Sequence, residues 1–130
     1  MGQYYKVVNL DKKEWLNPHQ LGDGLKLMEF GQSTNGTMTA LAILLANSNG
    51  RGGGDFKQES PLIGSWAGNR IVIAGDYAYK PDPGEDARKN EALYYRCEKF
   101  KNISLEMREL MERDCIKMNE RWDKSNGRSY

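Results

Sequence analysis

Gly31-Gln-Ser-Thr-Asn-Gly-Thr37, followed directly by Met38-Thr-Ala-Leu-Ala-Ile-Leu-Leu-Ala46, is the stretch on which the fold of this chain turns. Its second half is the most hydrophobic run in the sequence and predicts a helix over 37–47, apolar nearly all round. A helix of that kind belongs in the middle of a fold, covered by a sheet on one side and by other helices elsewhere. Asn35 or Thr34 is placed to cap its start, and Asn49-Gly50 to end it in left-handed geometry. Leu25 to Phe30, just upstream, reads as a strand or a helical turn.

Downstream, Arg51 to Ser60 has no apolar period and reads as an exposed loop. Leu62–Trp66 and Arg70–Ala74 flank Ala67-Gly68-Asn69, a tight-turn sequence, and predict a β-hairpin. Ile71-Val72-Ile73 is apolar on both faces, the mark of a central strand. Towards the N-terminus, Tyr4–Leu10 reads as a strand, Asp11–Lys13 as a turn and Glu14–Leu16 as the returning strand of a first hairpin. Asn17-Pro18-His19 stops it, because proline lacks the ladder donor.

Composition shifts at Lys80-Pro-Asp-Pro-Gly84. Beyond it, Ala87, Leu93, Tyr94, Cys97 and Phe100 recur at helical spacing and predict an amphipathic helix over Glu85–Lys101. Asn102-Ile103 breaks it and Ser104 caps a new start. Leu105–Trp122 then forms a second helix, with Met107, Leu110, Met111, Cys115, Met118 and Trp122 on one face. The expected fold is α+β: a small antiparallel sheet of about four or five strands in two hairpins, packed on a buried central helix, with two C-terminal amphipathic helices. It makes one domain over 1–130, with an α/β core at 1–79, a helical part at 85–123 and a frayed polar tail at 124–130.

A chain of 130 residues can bury roughly two-thirds of its unfolded surface without a metal or disulfide. Formal net charge is +1, which argues against a dedicated nucleic-acid binder, since those carry a net basic footprint. Cys97, Cys115 and His19 are too few for the usual four-ligand zinc site, and two isolated cysteines fit buried thiols in a reducing cytoplasm. The N-terminal residues lack the apolar core of a signal peptide, and no run approaches the ~18 apolar residues of a membrane span. The expected location is the cytoplasm, with no membrane contact and no cofactor.

Gly31 and Gly36 have the spacing of a phosphate-binding P-loop, and Thr37 follows. The lysine that should precede the hydroxyl is missing, which removes nucleotide hydrolysis from the reading. The physics beneath the motif remains: free N–H groups and about half a positive charge at a helix start attract anions. Ser33, Thr34, Asn35, Gly36 and Thr37 are therefore candidate ligand-binding residues. Arg51, in Gly50-Arg-Gly-Gly-Gly-Asp55, is a candidate lid cation at the other end of the helix. Trp66 and Arg70 could stack a base and hold its phosphate. Asp23, Asp55 and Asp76 each sit beside a glycine in a loop and form, with His19, a candidate oxygen-rich metal site. Met111, Met118 and Trp122 mark a seam on the last helix suited to an adaptable contact, including a homo-oligomer.

Three segments carry a resemblance: Met1-Gly-Gln-Tyr-Tyr-Lys-Val-Val-Asn-Leu-Asp-Lys12, Gly22-Asp-Gly-Leu-Lys-Leu-Met-Glu-Phe-Gly31, and Ile63-Gly-Ser-Trp-Ala-Gly-Asn-Arg-Ile-Val-Ile-Ala-Gly-Asp-Tyr-Ala78. Over roughly residues 1 to 79 the chain resembles a family of small proteins from microbial and viral genomes with no established activity. The resemblance implies a phage or mobile-element setting and carries over no catalytic residue.

The functional expectation is a non-catalytic binding module for a phosphate-bearing small molecule such as a nucleotide. In a viral setting it would sequester a host signal in the host cytoplasm. A protein-binding inhibitor acting on a host protein through the C-terminal helices is one alternative. A metal-dependent hydrolase using the loop aspartates is the other.

Overall fold

The computed structural model describes residues 2–78 and 92–113. Among these residues four strands form one sheet: β1 (Tyr5–Asn9), β2 (Glu14–Leu16), β3 (Ile71–Gly75) and β4 (Lys101–Asn102), in the order β3-β1-β2-β4. The helices are α1 (Thr37–Leu45), α2 (Leu93–Arg96), which continues into a 3-10 turn at Cys97–Lys99, and α3 over residues 104–113. The fold is α+β, as the pattern of elements predicts.

The first hairpin forms as expected, with Val7 opposite Leu16 and Val8 opposite Trp15. Asn9 holds its turn: the side-chain oxygen accepts from the N–H groups of Asp11 and Lys12, each at 2.9 Å, and the amide donates to Asn69. β1 is the central strand, and both its faces are covered. Tyr5, Val7 and Leu16 pack on one side with α1, Trp66 and α3, through Leu44, Ile103, Met107 and Met111. Val8, Leu10, Trp15 and Ala74 pack on the other with Leu93, Tyr94 and Cys97 of the α2 region. The alternation of side chains along a strand produces this division.

The second hairpin does not form. Residues 61–68 run as successive turns, and their N–H groups serve the end of α1 instead: Gly64 and Trp66 donate to the carbonyls of Ile43 and Leu44, both at 2.9 Å. These carbonyls belong to the last turn, where the only local donor is the Ala46 N–H, 3.4 Å from the Ile43 carbonyl, so the turns complete the C-cap. Gly64, at φ 71°, is required here, because a Cβ would strike the Ala46 carbonyl. β3 pairs with β1 rather than with 62–66, antiparallel from Tyr5–Gly75 to Asn9–Ile71. Among the described residues it is therefore an edge strand, not the central one its apolar sequence suggests. The sheet is also mixed, since β4 runs parallel to β2.

Helix α1 ends at Leu45 with Ala46 in extended geometry, before the Asn49-Gly50 stop. It is also less enclosed than its composition implies. Thr37, Ala40, Ile43 and Leu44 are buried, whereas Met38 is 50% exposed on the opposite side. Leu25–Phe30 is not a strand beyond one bond, from Tyr5 N–H to the Leu25 carbonyl. Leu27–Glu29 closes a 3-10 turn in which the Glu29 carboxylate accepts from the Lys26 N–H at 3.1 Å.

Lys101, expected as the last residue of a helix, and Asn102, expected to break it, form strand β4. The Asn102 side chain accepts from Ser104 N–H at 2.9 Å, while the Ser104 hydroxyl accepts from Asn17 N–H at 2.7 Å and ties α3 to the end of β2. Thus Asn102, not Ser104, caps α3. Ala87, Cys115, Met118, Trp122 and the 124–130 tail lie outside the described residues.

Candidate functional site

The start of α1 is built around Asp23. Pro18–Leu21 forms a 3-10 turn closed by Gly22 at φ 85°, and this delivers Asp23 into the interior, where it is 4% exposed. One carboxylate oxygen accepts from Ser33 N–H at 2.8 Å and the other from Thr37 N–H at 2.7 Å. Gly36 makes this approach possible, since a Cβ at that position would overlap the Asp23 carboxylate. A carboxylate at a helix N-terminus satisfies orphan donors and opposes the partial positive charge of the aligned peptides. The anion expected at Gly31–Thr37 is thus a side chain of the chain itself. Neither Thr34 nor Asn35 caps the helix: the Thr34 carbonyl accepts from the Thr39 hydroxyl at 2.7 Å, and Asn35 is exposed. The buried Thr37 hydroxyl has no hydrogen-bond partner among the described residues.

The same loop forms one wall of a cleft of about 280 Å³ whose other wall is α3. Leu21 and Met111 supply apolar surface, Ser33 and Asn35 hydroxyl and amide groups, and Arg108 and Glu112 a charge pair. Arg108 donates to Glu112 at 3.0 Å and to the Gln20 carbonyl at 3.4 Å, so its guanidinium stands beside Leu21 and Gly22. Arg108 was not among the sequence candidates. It falls on the polar side of α3, and only the tertiary fold sets it against a loop more than seventy positions earlier in the chain.

The remaining candidates do not converge on this cleft. Arg51 lies in an exposed loop with Gly50, Gly52, Gly53 and Gly54 all at positive φ, and its N–H donates to Asp55 at 2.7 Å. That loop is fastened at its neck by Asn49, which both donates to and accepts from the backbone of Phe56 at 3.0 Å. Trp66 is fully buried, its indole donating to Glu14 at 2.7 Å, so it is a core residue and no stacking platform. Arg70 grips Asp11 through its backbone N–H and two guanidinium nitrogens at 2.7–3.0 Å. That contact holds the Asp11 carboxyl below its ordinary range.

Asp23, Asp55 and Asp76 each accept backbone N–H groups, Asp76 from Tyr4 at 3.0 Å. No group of three His, Cys, Asp or Glu side chains able to hold a metal occurs among the described residues. His19 is exposed in the Pro18–Leu21 turn. Met111 is buried against the core and offers no free seam.

A second buried charge was also missed from the sequence. Lys6 on β1 projects into the α2 side, donating to the Tyr94 carbonyl and to Glu98, both at 3.0 Å. Its ammonium lies 4.0 Å from the centre of the Tyr94 ring and 4.9 Å from that of Trp15. A buried ammonium needs such partners to offset its lost hydration. Burial raises the Tyr94 hydroxyl pKa and pushes the adjacent Cys97 thiol up to about 11. This thiol is therefore a neutral core group rather than a nucleophile.

No family model, curated protein or solved structure matches the chain. Among the described residues, no helix is long and apolar enough to cross a membrane.

Proposed function

We propose that this chain is a non-catalytic binding module for a small phosphate-bearing molecule, held in the cleft between the Ser33–Asn35 loop and α3. The observation that carries the reading is the meeting of Arg108 with this loop across a cleft of about 280 Å³. That volume lies just below the usual range for drug-sized ligands, so a mononucleotide or smaller fragment suits it. Leu21 and Met111 would face the apolar part of the ligand. Arg108 would turn from Glu112 to the phosphate, with Ser33 and Asn35 as hydrogen-bonding neighbours. The helix start contributes through Asp23 only as scaffold.

The test is a thermal-shift and calorimetric screen of the full chain against nucleoside mono-, di- and triphosphates, repeated with Arg108→Ala. Ligand at one hundred times its dissociation constant should stabilise the protein by about 2.7 kcal/mol. Arg108→Ala should weaken binding about tenfold or more. No shift with any nucleotide at millimolar concentration, or an unchanged affinity in the variant, refutes the proposal.

A second reading, as a protein-binding module, is favoured by exposed apolar side chains near one end of the sheet. Tyr4 and Tyr77 stand at the adjoining ends of β1 and β3, and Leu27 and Met28 follow Leu25, which bonds to Tyr5. Capture of a partner that is lost on Tyr77→Ser and kept on Arg108→Ala would favour it over the cleft.

A further inference from the structure

The turn between β1 and β2 meets the segment that leads into β4, and the meeting gathers lysines. Lys101 N–H donates to the Lys13 carbonyl at 3.0 Å, and Lys101 lies opposite Glu14 in the parallel β2–β4 pair. Lys12 and Lys13 come from the turn, Lys99 and Lys101 from the other segment, and all are exposed. Phe100 lies between the last two in the chain, and the Lys13 ammonium stands 5.1 Å from the centre of its ring. Stretches more than eighty positions apart thus place their lysines at one end of the sheet.

The acids of this end are already engaged. Asp11 is held by Arg70 at 2.8 Å and Glu98 by Lys6 at 3.0 Å, while the Glu14 carboxylate accepts from the Trp66 indole. Glu106 reaches Lys101 only at 3.5 Å, an exposed contact that water screens. Among the described residues no carboxylate bonds to Lys12, Lys13 or Lys99. The net charge of +1 averages this end with the rest of the chain and conceals it. Lys13 is also the only residue other than glycine, among those described, at positive φ, 56°. Glycine or asparagine enters that left-handed region with less strain. Strain of this kind points to a use beyond folding, and here it delivers an ammonium to the patch.

The chemistry of the patch selects its partner. Neither segment exposes a large apolar side chain, so the apolar centre of a protein interface is missing. A stacking platform is missing too, since the Phe100 ring packs against the core and carries Lys13 over it. What remains is a set of separate point charges, which suits phosphates repeated along a backbone. We infer that this end of the sheet binds the sugar–phosphate backbone of duplex nucleic acid through Lys12, Lys13, Lys99 and Lys101, without reading its sequence. None of these lysines lines the cleft beside α3, so the inference stands or falls apart from the ligand proposed there.

The test is fluorescence anisotropy of a labelled duplex DNA titrated with the full chain, between about 50 and 200 mM salt. Each phosphate neutralised contributes about 0.9 to the salt slope, so three or four contacts predict binding roughly 40- to 150-fold weaker at the higher salt. Lys12→Ala, Lys99→Ala and Lys13→Gly should each lower the slope by about one and weaken binding to duplexes of different sequence alike. Lys13→Gly suits the local backbone, so its lost affinity is not lost folding. Circular dichroism checks the fold of the others. Lys26→Ala removes the same charge from an exposed position at the opposite end of β1, beside the Leu25–Tyr5 bond, and should leave affinity and slope unchanged.

A chain that binds no duplex at the lowest salt overturns the inference. So does a salt slope that survives substitution of the lysines, or one that Lys26→Ala lowers equally. Tighter binding to a single strand than to the duplex also overturns it, as does equal binding to polyglutamate or to phosphatidylserine vesicles at the same salt.

Discussion

Replacing Asp23 by alanine removes both acceptors that hold the start of α1. Two charge-assisted hydrogen bonds, at 2.7 and 2.8 Å, are lost, and the Thr37 and Ser33 N–H groups are left without their partner in a buried or half-buried setting. An unsatisfied buried donor costs about 1–3 kcal/mol, and Ser33, being less enclosed, falls at the low end because water can reach it. Loss of the negative charge from the helix start adds about 0.3–1 kcal/mol. The expected total is about 2–4 kcal/mol, or roughly 8–15 °C in Tm for a chain of this size.

Asp23→Asn keeps one acceptor oxygen and turns an amide donor towards the other N–H, so it should lose about half as much. Thr34→Ala and Asn35→Ala, at the positions a sequence reader would choose as caps, should each change stability by less than about 0.5 kcal/mol. Asp23→Ala should also gain a property the wild type lacks, partial recovery on adding phosphate or sulfate, since the exposed helix start becomes an anion site. Urea unfolding and thermal melts with and without the salt measure both effects. An Asp23→Ala protein within about 1 kcal/mol of wild type, or equal losses at Asn35, would refute the reasoning.

Lys6→Ala should cost about 2–4 kcal/mol in urea unfolding, because the Tyr94 carbonyl and two aromatic faces lose their cation; Glu98→Gln, at a side chain 60% exposed, should cost under about 1 kcal/mol. The Cys97 thiol is held neutral in the fold with its pKa raised from 9.0 to about 11. Unfolding therefore releases a group that ionises sooner, and stability should fall as pH rises from 9 towards 11 in the wild type but less so in Cys97→Ala. Alkylation of Cys97 at pH 8 should track unfolding rather than surface reaction. Asp11 has the opposite sign: its carboxyl pKa is lowered from 3.8 by Arg70, so its contribution is complete above 3.8 and is lost as pH falls below it. Circular dichroism melts between pH 2 and 5 should show a smaller acid loss in Arg70→Ala than in wild type.

The parts of the fold that were legible in the sequence are those set by local pattern. The first hairpin needs only alternation and a turn that Asn9 can close, and α1 needs only an apolar run behind a glycine. Leu93, Tyr94 and Cys97 also fall on one buried face as their spacing requires. What could not be read was the choice of partner. Ile71–Gly75 looks the same beside 62–66 as beside β1. The decision rests on Gly64 and Trp66, whose N–H groups are taken by the end of α1 and cannot join a ladder.

The site shows the same division. The loop before α1 has the chemistry of an anion cradle, and nothing local reveals that Asp23, more than ten residues earlier, fills it. A signal did exist, because an aspartate between two glycines ahead of an uncharged helix start is a remote cap in waiting. Arg108 and Lys6 had no such signal, since a lysine in a strand or an arginine on a helix reads as solvated until the opposing element is known.

The sheet also has a temporal consequence. β1 and β2 form a local pair, but β3 must reach β1 across more than sixty residues and β4 must reach β2 across more than eighty. High sequence separation of this kind slows folding, because chain closure comes before the contacts that reward it. On the ribosome, at about 5–20 residues per second, the hairpin waits several seconds or more for β4 to be synthesised. During that interval the apolar faces of Val7, Val8 and Leu16 have only each other, and the Trp15 carbonyl has yet to meet the Ile103 N–H. The last two-residue strand, trivial by area, therefore acts as the latch that ends the vulnerable period in the life of the nascent chain.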